Sequence, residues 1–319
     1  YLEKHQIAVL KNEEFENFTL ELDIAGDAMP GVGFRVKDLW NYEFLYCRLF
    51  ANGQEDALQY TPIYNGSMAW QLYNYPTYEK IAEVAQQTWI HLKLEVYEDN
   101  LRVYVGDVEQ PNMEIKLLHE DVATGQILLK TSFADGYFAN VVVRELKQGF
   151  DVEETAPLNG YLNSWLISPQ LAGNIYSQRQ YYQMIETQEA DEEGWKSVNA
   201  ESSGIVNIIK YFTHPEKSVF AKTTISSSED QEVTLHFDYS QALMMVLNDQ
   251  VIYYGYELDS DNFMRMMDGE SSISLPLKAG ENKLVFWIRS DDQWQEAVDN
   301  PPYLGRSQAM NWGFIARLA

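Results

Sequence analysis

The sequence predicts an all-β chain of two sandwich domains, and three observations predict it. Short runs with period-two alternation of apolar and polar residues recur along the whole chain, and helical periodicity is nearly absent. Gly, Asn, Asp and Pro punctuate these runs at close spacing, as turns between the strands of a sandwich or barrel do. The chain has 319 residues, more than one hydrophobic core usually serves.

The runs of the first half are Phe18–Ile24, Val32–Val36, Tyr42–Phe50, Trp89–Tyr97, Leu101–Val105, Gly125–Lys130 and Tyr137–Val143. Asp99-Asn100, between two of them, predicts a hairpin turn. Lys147 to Asn159 carries Gly149, the acidic stretch Asp151–Glu154 and Pro157, a shift from strand to linker composition. The domain boundary is therefore placed near residue 155, giving domains 1–154 and 155–319. The second half continues with Ser218–Ile225, Glu232–Asp238, Ala242–Leu247, Gln250–Tyr254, Ser272–Leu277, Asn282–Ile288 and Trp312–Leu318. Asn248-Asp249 and Lys278–Asn282 are the turns within this set.

Composition narrows the partners. Lys and Arg number 23 against 48 Asp and Glu, a net charge of −25. Such a polyanion repels phosphate backbones and anionic membrane surfaces, so nucleic acid is excluded as an expected partner. No apolar run reaches the length of a membrane span, so no membrane insertion is expected. Cys47 is the single cysteine, so the chain forms no internal disulfide. No signal peptide is visible in this chain, which begins at Tyr1.

Catalytic motifs are sparse. His5, His91, His119, His214 and His236 form no zinc-binding spacing, and no metal site is expected. No nucleophile elbow, Walker loop or dinucleotide fingerprint occurs, so no cofactor is expected. Asp259–Asn262 offers oxygens of the kind that hold a structural calcium, but lacks the further ligands and the glycine of a calcium loop. It reads first as a solvated turn.

Residues 1–146 resemble a concanavalin A-like lectin/glucanase sandwich, on the branch related to 3-keto-disaccharide hydrolases. The series Phe15–Asp23, Gly33–Asp38, Asn41–Tyr46, Gln59–Gly66, Trp70–Tyr73, Trp89–Val96 and Tyr137–Asn140 carries that resemblance. From about Leu158 the chain resembles a galactose-binding-like jelly roll, on Trp195–Asn207, Val219–Thr223, Val246–Gly255, Leu275–Asn282 and Asn311–Arg317. The resemblance implies saccharide-directed binding or chemistry in an extracytoplasmic setting: periplasmic, cell-surface or secreted. Glycanases of the sandwich class set three carboxylates on alternate positions of one strand. Here Glu21 and Asp23 begin that pattern and Ile24, Ala25 and Gly26 end it, so the pair reads as a solvated strand face.

One constellation rises above this background. Alternation over 42–50 sets Leu45, Cys47 and Leu49 on one face and Phe44, Tyr46, Arg48 and Phe50 on the other. With Val32, Phe34 and Val36 turned inward, Arg35 joins Tyr46 and Arg48 on the outer surface. The next segment adds Gln59, Tyr60, Tyr64, Asn65 and Trp70, with Gln71 and Tyr73 beside them. Aromatic plates meet the C–H faces of sugars, and Arg, Asn and Gln meet their hydroxyls. An Arg also matches a carboxylated sugar through two parallel hydrogen bonds. The expectation is a carbohydrate-binding or carbohydrate-processing accessory protein, with a saccharide or glycan as partner. The alternatives are a glycoside hydrolase or 3-keto-glycoside-cleaving enzyme using Glu43, Glu55, Asp56 or Glu95 as acid and base, and a non-catalytic structural or adhesive module. The second half has its own aromatics, Tyr253, Tyr254, Tyr256, Trp294 and Tyr303. Met264, Met266 and Met267 read as core or interface filler. No motif specifies the sugar or an oligomeric state.

Overall fold

The computed structural model describes residues 1–119, 122–153, 159–190, 194–212, 217–256, 265–290 and 311–319. Residue 155, His214, Asp259–Asn262, Met264, Trp294 and the Pro301-Pro302 loop with Tyr303 lie outside them. The described residues form two compact units, 1–153 and 159–290 with 311–319. Both are all-β sandwiches of antiparallel sheets.

The first unit contains β1 (Ile7–Val9), β2 (Phe18–Gly26), β3 (Met29–Asp38), β4 (Asn41–Cys47), β5 (Leu58–Tyr64), β6 (Ser67–Met68), β7 (Glu79–Lys80), β8 (Ile90–Tyr97), β9 (Asn100–Val105), β10 (Met113–Lys116), β11 (Gln126–Ser132) and β12 (Gly136–Glu145). One sheet runs β1-β11-β3-β4-β5-β6, with β7 added on β5, and the other runs β10-β9-β8-β2-β12. Alternation explains the second sheet directly. Phe18, Leu20, Leu22 and Ile24 of β2 and Ile90, Leu92, Leu94 and Val96 of β8 are buried. Their neighbours face water and pair charges: Arg144 with Glu21 at 2.8 Å, Lys93 with Glu95 at 2.6 Å and Arg102 with Glu114 at 2.7 Å. Asp23 lies on the same surface, bonded to His91 and Asn140.

The first sheet is different, because β4 and β5 are buried on both faces. The inner face carries Val32, Leu45 and Tyr60 in register, and Phe34 meets Phe18 of the facing sheet at 6.1 Å. The outer face carries Tyr42, Phe44, Tyr46, Met29, Ile63 and Leu128 in a second apolar cluster, packed against Met68 and Trp70. A sheet covered on both sides reads as a continuous apolar and aromatic run instead of an alternating one. This is why 58–64 escaped the alternation pattern while forming a full strand.

The second unit contains β13 (Ser164–Ile167), α1 (Gln178–Glu189), β14 (Lys196–Asn199), β15 (Ile205–Asn207), β16 (Ser218–Ser227), β17 (Gln231–Tyr239), β18 (Ala242–Leu247), β19 (Gln250–Tyr256), β20 (Ser271–Leu277), β21 (Gly280–Arg289) and β22 (Gly313–Leu318). Its sheets run β14-β13-β16-β21-β18-β19 and β15-β22-β17-β20. Trp165 bridges them, with its ring 5.0 Å from Phe286 and 4.7 Å from Phe314. The helix was not anticipated. Ser177 caps it by accepting from the Gln180 amide, and only Tyr181 and Ile185 are buried along it. Two anchors one turn apart suffice because they seat on Phe220, Met244 and Trp287 of the sheet.

Candidate functional site

Four of the predicted residues, Tyr46, Arg48, Gln59 and Trp70, meet on the outer face of the first sheet. Register produces the meeting. Gly31 pairs with Tyr46, Tyr46 with Gln59, and Gln59 with Glu79, so their side chains share one side of the sheet. Arg48 follows the end of β4. Its amide donates to the Ala57 carbonyl at 2.8 Å, and the Ala51 amide donates back to Arg48 at 2.9 Å. This turn lays the guanidinium over the row.

Both terminal nitrogens of the guanidinium are engaged. Nη2 donates to the Tyr46 hydroxyl at 2.9 Å and to Gln59 Oε1 at 2.5 Å. Nη1 donates to the Asp56 carbonyl at 2.6 Å and to Glu79 Oε1 at 3.4 Å. Asp56 Oδ2 lies 3.7 Å away. The Tyr46 hydroxyl also donates to Gln59 Oε1. The Gln59 amide nitrogen donates to the carbonyls of Trp70 at 2.9 Å and Tyr73 at 2.7 Å. Arg48 sits 5.1 Å from the centre of the Tyr46 ring and 5.4 Å from that of Trp70. Arg48 is only 5% exposed, so desolvation strengthens each of these charge-assisted bonds. With both terminal nitrogens carrying two acceptors, no bidentate edge remains for a carboxylated sugar, contrary to that expectation. The half-buried rim above the cluster is Trp70 and Gln71. Gln71 Oε1 itself is turned away from solvent and has no hydrogen-bond donor among the described residues.

The other four predicted residues sit elsewhere. Arg35 has φ 49° at a bulge in β3, where the pairing with β11 slips by one residue between Gly33–Leu128 and Val36–Gln126. A one-residue bulge reverses the side of every residue after it. Val36 thereby joins Tyr42 and Phe44 on the outer face. Arg35 instead caps the end of the sandwich, donating to the carbonyls of Glu98, Glu16 at 3.3 Å and Val122 at 3.5 Å. It shares no surface with Arg48, as Phe34 pairs with Glu43 and Gly31 with Tyr46, at successive points along the ladder. Tyr60 and Tyr64 occupy the inner face. The Tyr60 hydroxyl donates to Glu43 Oε2 at 2.5 Å, and burial, with Glu43 beside it, holds its pKa well above the usual phenol value. The Tyr64 hydroxyl donates to the Leu118 carbonyl at 2.5 Å, and its ring lies 4.0 Å from that of His119. Asn65, at φ 51°, and Gly66, at φ 79°, form the turn between β5 and β6, the residues that such a left-handed hairpin turn favours.

The acid and base candidates do not converge. Glu43 is buried in the inner core, accepting from Tyr60 and from the His119 amide at 3.2 Å. Glu95 lies on the solvent face of the other sheet with Lys93 and Tyr104. Asp56 flanks Arg48, and Glu55 is exposed. Among the described residues no group of three His, Cys, Asp or Glu side chains gathers to hold a metal ion. Sequence reasoning missed two members of the face. Glu79 lies on a two-residue strand too short to show alternation. Lys130 is fully buried beneath the aromatics, 5.1 Å from the Phe44 ring centre and 3.3 Å from the Tyr42 hydroxyl, which its Nζ reaches as donor. Burial pushes its pKa down to about 7. Its position opposite Gly31 could have been found by extending the row across β11.

Fold and site together define an all-β protein of two antiparallel sandwiches with an Arg- and aromatic-lined sheet face in the first. No protein-family model matches the chain, and no curated protein does. Among solved structures, the carbohydrate-binding module CBM66 of Bacillus subtilis is similar at 20% identity, over 44% of this chain and 83% of that one, with a TM-score of 0.36. The exoplasmic/lumenal domain of VIP36, in a Ca2+/Man3GlcNAc-bound form, is similar at 11% identity, over 46% and 76%, with a TM-score of 0.30. Domains LG4-5 of the mouse laminin α1 chain are similar at 9% identity, over 99% and 85%, with a TM-score of 0.30.

Proposed function

We propose that this is an extracytoplasmic carbohydrate-binding protein, with a concanavalin A-like first unit that holds a neutral saccharide at the Trp70–Gln71 rim. The second unit, read as a galactose-binding-like jelly roll, is the accessory module. The observation that carries the reading is the clamp on Arg48. Tyr46, Gln59 and Glu79 fix the guanidinium, and Gln59 in turn fixes the Trp70 backbone. A rim held this way loses little side-chain entropy when a ligand arrives. Trp70 and Gln71, both half-buried, are the aromatic ring and the side-chain amide that this rim offers to a sugar.

Binding is favoured over turnover because Glu43 and Glu95 lie away from this face, and the two carboxylates that do meet there, Asp56 and Glu79, are both turned to the Arg48 guanidinium. No helix among the described residues is long and apolar enough to cross a membrane. A glycan array followed by calorimetry on Trp70→Ala and Gln71→Ala tests the proposal. We expect a neutral glycan to bind and each variant to weaken it about tenfold, the worth of one aromatic contact or hydrogen bond. Unchanged affinity in both folded variants would remove the site.

A further inference from the structure

Far less protected aromatics gather beside the start of β12 in the other sheet. Tyr1, Trp89 and Tyr137 are 63%, 54% and 46% exposed. Their rings are neighbours: Tyr1 and Tyr137 lie 5.3 Å apart with planes at 48°, and Trp89 and Tyr137 lie 6.5 Å apart at 71°. Large rings gathered in water mark an interaction surface more often than scattered ones do.

The cluster is held in place from both sides. Tyr137 stands on β12 opposite Ala25 of β2, and Gly136 stands opposite Gly26. Ala25 is therefore the small cross-strand neighbour of Tyr137. The Trp89 loop is fastened to the β2–β3 turn. The Gln87 amide donates to the Gly26 carbonyl at 2.9 Å, Gln86 Nε2 to the Asp27 carbonyl at 2.6 Å and Gln87 Nε2 to Asp27 Oδ1 at 3.1 Å. On the other side Leu2 and Gly136 exchange backbone hydrogen bonds at 2.9 and 3.0 Å. The Tyr1 hydroxyl donates to Asp135 Oδ2 at 2.7 Å, and the Lys4 amide to Asp135 Oδ1 at 2.9 Å.

We infer that Tyr1, Trp89 and Tyr137 form a second saccharide site, for a soluble neutral glycan, separate from the Trp70 rim. Three features select that occupant. Each ring carries a polar handle, and the groups bonded around the cluster are carboxylates and amides, the partners that sugar hydroxyls use. The tilts of 48° and 71° leave the three rings without a common plane, so they offer no flat wall for a crystalline polysaccharide. Asp27 and Asp135, on a chain of net charge −25, repel uronate and sulfate groups.

Affinity electrophoresis of the full chain tests this, in gels holding mixed-linkage β-glucan, galactomannan, xyloglucan or polygalacturonate, with pull-down on microcrystalline cellulose alongside. We expect retardation by at least one of the three neutral polymers, and none by polygalacturonate or cellulose. Trp89→Ala should weaken that retardation about tenfold, Trp89→Phe should retain most of it, and Trp70→Ala should leave a Trp89-dependent part. Retardation by no neutral polymer, or equal retardation of wild type and Trp89→Ala, overturns the inference. So does a wild-type dimer in sedimentation that Trp89→Ala dissolves without a change in glycan binding, since the cluster would then join two copies of the chain.

Discussion

Arg48 is the residue on which the first-sheet face depends. Replacing it by Ala strips the nearly buried Glu79 and Gln59 of a charged donor at once. We expect Arg48→Ala to cost about 3 kcal/mol or more in urea unfolding, and Arg48→Lys to recover only part, since an ammonium cannot hold the same fork of acceptors. Lys130 gives a pH signature. Its folded pKa of about 7 lies below the unfolded value of about 10.4. Between those values the unfolded chain keeps a proton that the folded chain has released, so stability rises with pH from about 7. Tyr60, raised well above the usual phenol value, reverses the trend above about pH 10, where only the unfolded phenol ionises. Denaturation midpoints at pH 7 and pH 9 should therefore differ, and Lys130→Met should remove the rise. Cys47 is fully buried and its thiol is pushed up to about 12, so it should react with a maleimide only on unfolding.

At the scale of elements, what alternation could read and what it could not have one physical origin. Strands half open to water, such as β2 and β8, show period two because one face must be polar. Strand β5, covered on both faces, does not, and there the order of aromatics cannot tell inner from outer face. Tyr46 and Gln59 share a face with Arg48 because the residues from Tyr42 to Cys47 keep regular pairing. Arg35 was misplaced because nothing in Phe34-Arg35-Val36 marks a bulge. Its sign, Gly125 packed against the Arg35 backbone, comes from a distant strand. A Cβ on Gly125 would lie 2.4 Å from the Arg35 carbonyl carbon. The Asn65-Gly66 turn is similarly constrained. A Cβ at Gly66 would lie 2.4 Å from the Trp40 ring, at φ 79°. Gly66→Ala should destabilise the chain by about 1–3 kcal/mol, read as a lowered urea midpoint. Helix α1 eluded the period count because its apolar anchors are few.

For the whole molecule, charge makes a sharper expectation about partners than any motif does. A net charge of −25 predicts no retention on heparin at pH 7, and retention at low salt would contradict it. The β runs made both sandwiches legible, because every run in the first half other than the overlong Tyr42–Phe50 maps onto a strand of one unit. The central claim is that the first unit binds saccharide at the Trp70 rim. Its most direct test is indole N–H spectroscopy of the 15N-labelled full chain, whose eight Trp residues report on both units. The probe is the tightest neutral oligosaccharide found on the array. The account predicts saturable displacement of the Trp70 signal, while Trp165, Trp287 and Trp312, buried in the second unit, stay fixed. Binding that moves only second-unit indoles, or leaves Trp70 unmoved, would contradict it.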